Sequence, residues 1–230
     1  MADRWDVVLL ATTTWWPAPA RLALAFRRLG LQVYAICPPG HPLRHARAVT
    51  QCIGYSFLRP LAALRNAITG ACPSLIVPCD DRAVQHLHAL HAADRNGDLA
   101  RLIAVSLGSA AAFRVVDSRS ALLAVAVAEG LRVPPSMRLR SASDLDRWDQ
   151  PLPWVIKCGM SWGGAGVRIV RTRAEAVRAF NAAARPISIG RAVKRLIINQ
   201  DGFSLRPSLA CKPFCRGPFR VSSLIRRRPR

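Results

Sequence analysis

The part of this sequence best equipped for chemistry is Pro153 to Val167, PWVIKCGMSWGGAGV. Lys157 is the only lysine among the first 193 residues, and it stands inside an apolar run. An ammonium group buried without a counter-charge is costly, so a lysine here is expected to face a cleft and an anion. Gly163, Gly164 and Gly166 follow in a glycine-rich loop. Such a loop lets backbone N–H groups come close to phosphate oxygens. A strand lysine followed by a glycine-rich hairpin fits a triphosphate clamp. It fits equally a surface hairpin whose lysine snorkels to water, because short glycine-rich motifs recur without function.

Weaker signals lie upstream. Asp80 and Asp81 follow the apolar run Ser74 to Val77, at the strand end where α/β sheets place ligands. Asp80 is also well placed to cap the next helix, which is the simpler reading. His86, His88 and His91 fall on that helix, where ordinary helix surface outweighs metal binding because no third ligand has suitable spacing. Trp15 and Trp16 follow the first apolar run, where they either wall a pocket or pack.

The elements that must position these groups alternate in type. Asp6 to Ala11 reads as a buried strand, Arg21 to Leu29 as a helix closed by Gly30, and Leu31 to Cys37 as a second strand. Pro60 to Ile68 then reads as a helix, Ser74 to Val77 as a strand, Asp80 to Ala93 as a helix and Leu102 to Val105 as a fourth strand. This alternation predicts a parallel sheet with helices on both faces. The fingerprint G-x-G-x-x-G is absent after the first strand, where the chain reads ATTTWWP, which argues against a Rossmann dehydrogenase. From Asp117 onward the expected order is a helix at Ser118 to Glu129, a strand at Met137 to Arg140 and a short helix from Ser143. A strand at Trp154 to Cys158, the glycine loop, a returning strand from Val167 and a helix at Ala174 to Ala184 complete it. That order describes a small α+β lobe.

Composition narrows the class. The chain has 230 residues, 51% of them hydrophobic, and no apolar run approaches membrane-spanning length. The amino terminus lacks the basic-then-apolar pattern of a secretory signal, so a cytoplasmic protein is expected. Seven cysteines without C-x-x-C spacing argue against a disulfide framework and a zinc site. Cys37, Cys72, Cys79 and Cys158 read as buried thiols. The net charge of +21 is uneven, since residues 185–230 hold twelve basic side chains and one acidic one. Arg supplies 31 of the 34 basic residues, a skew that a GC-rich gene would also produce.

The run DSRSALLAVAVAEGLRVPPS, then SASDL, then PWVIK and the glycine loop, resembles the ATP-grasp superfamily. Its members include ligases and carboxylases of the biotin carboxylase, carbamoyl-phosphate synthetase and D-alanine–D-alanine ligase type. The resemblance covers about residues 5–185 and rests on order and spacing rather than on one motif. It implies an α/β pre-ATP-grasp domain over residues 1–112 and a first ATP-grasp lobe over 113–186. It implies ATP as ligand, with Mg²⁺ as the accompanying ion, and an unknown carboxylate as substrate. Lys157 matches the strand lysine that reaches the phosphates and the adenine side of the nucleotide. Arg119 occupies the place of an earlier basic residue that is usually Lys, and Gly163, Gly164 and Gly166 match the mobile phosphate loop. Met160 and Trp162 make this loop bulkier than the family pattern.

Residues 187–230 depart from that resemblance. Asp201 is their only carboxylate side chain, whereas the family's second lobe supplies several to hold Mg²⁺. Residues 208–230 show neither helical nor strand periodicity, and a basic, irregular tail is expected, as a frameshift or early end in a GC-rich gene would leave. On this reading the chain binds nucleotide, is incomplete for catalysis and needs a missing lobe or a second copy as partner. The alternatives are a non-catalytic nucleotide-binding relative, or a protein that uses the Arg-rich end to bind nucleic acid non-specifically.

Overall fold

The computed structural model describes residues 6–94, 97–158, 166–184 and 209–213, which fall into two units parted after Phe113. In the first unit β1 (Val7–Ala11) pairs in parallel with β2 (Gln32–Cys37) on one side and β4 (Leu75–Pro78) on the other. With β3 (Gln51–Gly54) outside β2, the sheet order is β3-β2-β1-β4. A central parallel strand is covered on both faces, which is why VVLLA is apolar throughout rather than alternating. Leu9 packs with Ile36, Leu64, Ile76 and Leu87 on one face. Val8 and Leu10 pack with Ala23, Val33 and Leu43 on the other.

The helices α1 (Ala18–Arg28), α2 (Pro60–Ala71) and α3 (Asp81–Ala93) lie where the apolar spacing puts them. Pro60 opens α2 at its first position, where a missing N–H costs nothing. Gly30, with φ +83°, ends α1 in a left-handed conformation that suits glycine.

The expected strand at Leu102 to Val105 is a helix instead, α4 (Asp98–Leu107). A short apolar run does not by itself distinguish strand from helix. Here Ala100 and Ile103 are buried and Leu99, Leu102 and Leu107 lie partly against the core, a helical spacing closed by Gly108 at φ +87°. Ser106 Oγ then accepts from the Ile76 N–H at 2.9 Å, on the strand a fifth strand would have joined. The fourth strand is β3, whose short sequence QCIG gives no alternating signal. Cys72 is exposed rather than buried, because it closes α2 in the left-handed region at φ +43°.

Helix α5 (Phe113–Val116) begins at the last residue of the first unit, and the second unit contains α6 (Arg119–Ala128), capped by Ser118, which accepts from Ala121 N–H at 3.3 Å. Its sheet has the order β5-β8-β6-β7, from β5 (Met137–Leu139), β8 (Leu209–Pro213), β6 (Trp154–Cys158) and β7 (Val167–Val170). Helix α7 (Arg173–Ala184) packs on one face, burying Ala176 and Phe180 with Leu139, Leu145, Trp154, Ile156, Val170 and Cys211. No single described helix is long and apolar enough to cross a membrane.

The expectation of an irregular tail fails at Leu209–Pro213. These residues form an interior strand, antiparallel to both β5 and β6. Five residues are too few for periodicity to show, and the strand is held by pairing on both edges. Pro213 stands at its last position, where an interior strand tolerates a missing donor best. The short helix expected from Ser143 is a 3₁₀ turn over Ala142–Arg147. Asp144 anchors it by accepting from the N–H groups of Arg140 at 2.6 Å and Ser141 at 2.8 Å. Arg147 and Asp144 form an ion pair, as do Arg173 and Asp146.

Two outcomes test this arrangement. Cys211 is fully buried in the core of the second unit. Cys211→Asp is expected to destabilise that unit by about 3–5 kcal/mol, as an uncompensated buried charge does, seen as a lower urea midpoint. Hydrogen bonds from the Ser141 and Arg140 N–H groups, and then Arg147, hold the Asp144 carboxyl down at about 2. A carboxyl depressed in the folded state contributes stability above its unfolded pKa and loses it as pH falls through the folded one. Stability of the second unit should therefore fall as pH drops from about 4 to about 2, and Asp144→Asn should flatten that slope in an acid titration followed by circular dichroism.

Candidate functional site

Strand β6 sorts its side chains by alternation. Trp154 and Ile156 are buried beneath α7, with Trp154 Nε1 donating to Gln150 O at 2.7 Å. Val155 and Lys157 therefore belong to the opposite face, and both are half-buried. Lys157 is paired with Val167 of β7 on one side and Ala210 of β8 on the other, and Ala210 is paired with Arg138 of β5. Directly paired residues share a face, so Arg138, Ala210, Lys157 and Val167 make one row across the sheet. The next row runs Lys212, Val155 and Ile169.

By register this face carries three cations, Arg138, Lys157 and Lys212, among apolar residues. Val167 and Ile169 remain 37% and 47% exposed, unusual values for valine and isoleucine in a sheet. Among the described residues no ion pair engages Lys157, and neither row holds a carboxylate. Valines and an isoleucine beside an ammonium and a guanidinium in one row suit a ligand that is aromatic at one end and anionic at the other. Arg138 is a candidate that sequence reading missed. Only the insertion of β8 puts it in the row of Lys157, and nothing local in Met137–Leu139 signals that.

The other predicted site residues are placed less fully. Gly166 is exposed with φ +73° and leads into β7, a backbone position that favours glycine. Gly163 and Gly164 lie outside the described residues. Arg119 is the first residue of α6, and its side chain is likewise outside the description. The described part of α6 has no buried residue, and Leu122, Val125 and Val127 are exposed.

In the first unit the candidates turn out to be structural. Asp80 caps α3 by accepting from Ala83 N–H at 2.9 Å. It also accepts from Thr13 N–H at 2.6 Å, Thr13 Oγ1 at 2.8 Å and Thr12 Oγ1 at 3.0 Å. Both carboxylate oxygens are thus engaged in fixing the end of β1 to the start of α3. His86 Nε2 meets Tyr55 Oη at 2.9 Å, and burial lowers the His86 pKa. His88 stacks on Phe113, whose edge His91 meets. No group of three metal-ligating side chains occurs among the described residues. Trp15 is exposed and donates its indole N–H to Gly40 O at 3.0 Å.

No protein-family model and no curated protein matches the chain. Solved structures do. The biotin carboxylase domain of Hydrogenobacter thermophilus 2-oxoglutarate carboxylase, in complex with MgADP, ADP and bicarbonate, matches at 17% identity with a TM-score of 0.58. It is covered over 45% of its length by 93% of this chain. Carboxyaminoimidazole ribonucleotide synthase from Aspergillus clavatus, complexed with ATP, matches at 15% identity and a TM-score of 0.61, over 92% of this chain and 48% of that one. L-Amino acid ligase from Bacillus licheniformis matches at 16% identity and 0.58, over 95% and 48%. The fold is that of the ATP-grasp enzymes. The chain spans under half the length of these ATP-grasp structures.

The structural role of Asp80 is open to measurement. Asp80→Ala removes four accepted hydrogen bonds and should destabilise the first unit by about 2–4 kcal/mol, read from urea unfolding. An unchanged midpoint would return Asp80 to the list of ligand-binding candidates.

Proposed function

We propose that this chain binds ATP on the open face of the second unit's sheet, with Lys157 meeting the phosphates. The observation that carries this reading is the row Arg138–Ala210–Lys157–Val167, two cations in one row, beside a row that runs Lys212–Val155–Ile169. The ATP-grasp fold supports it, and two of the matched structures hold adenine nucleotides.

In this reading Val155, Val167 and Ile169 offer the adenine ring an apolar floor. The Lys157 ammonium, half-buried and with no carboxylate in either row, is a strong partner for phosphate oxygen because little of its charge is already neutralised. Arg138, on the edge strand and exposed, adds a longer-range attraction. Gly166 starts β7 close beside this row and lets the backbone turn sharply as it leaves the glycine loop. These groups bind and orient, and none has a covalent role.

The reaction class we attach to this site is activation of a carboxylate by ATP. Phosphoryl transfer forms an acylphosphate, and an amine or thiol then displaces phosphate. Magnesium requires several hard oxygen ligands. The described residues do not fit such a site, since the rows around Lys157 offer no carboxylate and no metal-binding cluster is present among them. No step is therefore derived through the ion, and the described residues account for nucleotide binding rather than turnover. Nothing described favours the nucleic-acid reading, because the Arg-rich end lies outside the described residues.

Titration calorimetry with a non-hydrolysable ATP analogue, with and without Mg²⁺, tests the proposal. Lys157→Ala should weaken binding by about 1–3 kcal/mol, the loss expected for a charge-assisted contact. Arg138→Ala should weaken it by less, about 0.2–1 kcal/mol, as an exposed charge does. Unchanged affinity for Lys157→Ala, in a variant with the wild-type circular dichroism spectrum, removes this face from the site.

A further inference from the structure

Two thiols in the first unit stand closer than ordinary sulfur contact. Cys37, the last residue of β2, and Cys52, the second of β3, have their Sγ atoms 3.1 Å apart. The register pairs Ala35 with Cys52 and Cys37 with Gly54, so both cysteines rise from one face of the sheet on a diagonal. Their neighbours in the two pairs are alanine and glycine, which leave the space between the sulfurs clear. Cys37 is fully buried, whereas Cys52 is half-buried on a four-residue strand paired with β2 on one side only. The Arg44 guanidinium lies over Gly54, with Nη2 3.5 Å from where a β-carbon would stand, and its Nε–H donates to Pro38 O at 3.3 Å.

This surrounding separates the two thiols chemically. The hydrogen bond with Cys37 and the positive charge of Arg44 bring the Cys52 thiol down to about 7. The same hydrogen bond and burial push the Cys37 thiol up. Burial holds the other partly buried thiol of this unit, Cys79, at about 12. A thiolate is the nucleophilic form, and Cys52, half-buried where Cys37 is fully buried, is the member an oxidant can reach.

We propose that Cys37 and Cys52 form an oxidation site, which a hydroperoxide converts to an intramolecular disulfide joining β2 to β3. The Cys52 thiolate attacks the terminal peroxide oxygen. The O–O bond breaks, and the leaving alkoxide or hydroxide takes up a proton. Cys52 is then a sulfenic acid. The Cys37 sulfur attacks Cys52 Sγ, the S–O bond breaks, and the departing hydroxide leaves as water with the Cys37 proton. Two thiols lose two electrons and two protons, and the hydroperoxide is reduced to an alcohol (or water) and water. The sulfurs must approach by about 1 Å to reach bonding distance, which the single-sided edge strand allows.

The reduced full-length protein, treated with stoichiometric hydrogen peroxide, alkylated with N-ethylmaleimide and digested, provides the test. Peptide mass mapping should find Cys37 linked to Cys52, with the link lost on treatment with dithiothreitol. Cys37→Ala should instead accumulate a Cys52 sulfenic acid, trapped by dimedone, while the wild type shows little. The proposal is overturned if the wild type yields no such cross-linked peptide while other cysteines oxidise. It is overturned equally if wild-type Cys52 is trapped by dimedone as fully as in Cys37→Ala. The wild-type map decides alone should that variant fail to fold.

Discussion

The second unit rests on the pairing of Leu209–Pro213 with two strands at once. β5 and β6 do not bond to each other, and both are antiparallel to β8, which fills the gap between them. Without it, the facing backbone groups of β6 would lose their partners while its apolar side chains stayed committed to the core. β5, with three residues, has no independent stability as a strand. The same pairing fixes register. A slip of one residue would turn Cys211 outward and Ala210 inward, and would take Arg138 out of the row that holds Lys157. The candidate site is a consequence of this constraint, since no two of its four row members are adjacent in sequence.

Charged groups in the two units illustrate opposite uses of partial burial. Asp80 is surrounded by donors, four of which reach its oxygens, so its charge is spent on holding β1 against α3. Lys157 sits between valine and alanine, with no counter-charge among the described residues. A satisfied carboxylate stabilises the fold and has little left for a ligand. A half-buried ammonium without a partner gains most when an anion arrives, because desolvation has already weakened its hold on water. That difference separates a structural acid from a binding base more reliably than position at a strand end, which both share.

Elements that carry their own boundary signals were legible in the sequence, and so were residues whose surroundings are local. The runs Asp6 to Ala11 and Trp154 to Cys158, the helix stop at Gly30 and the Asp80 cap each depend on neighbours a few positions away. Lys157 stood out because an isolated lysine in an apolar strand violates the expected pattern. Leu102 to Val105 was misread because four apolar residues fit a strand or one helical turn, and Asp98, Ile103 and Gly108 had to be weighed together. β3 and β8 were missed because QCIG and LACKP become strands through partners distant in sequence. Arg138 and the Cys37–Cys52 pair were hidden for the same reason, since both arise from register.

The edges of the first sheet show how far such long-range pairing sets chemistry as well as shape. On the β4 side the Ile76 N–H is taken by Ser106 Oγ from α4, so the edge is closed by a side chain. On the β3 side the outer strand has only four residues, short enough to limit pairing with another chain. A short edge strand also opens at lower free-energy cost than an interior one, because it is paired along one side. Cys52 lies on this edge strand and Cys37 on the interior strand beside it. Had the pair lain between β1 and β2, both thiols would have been sealed from any oxidant and locked at their present separation. Placed between the edge strand and its neighbour, one sulfur is half-buried and the other fully buried, so an oxidant meets Cys52 first.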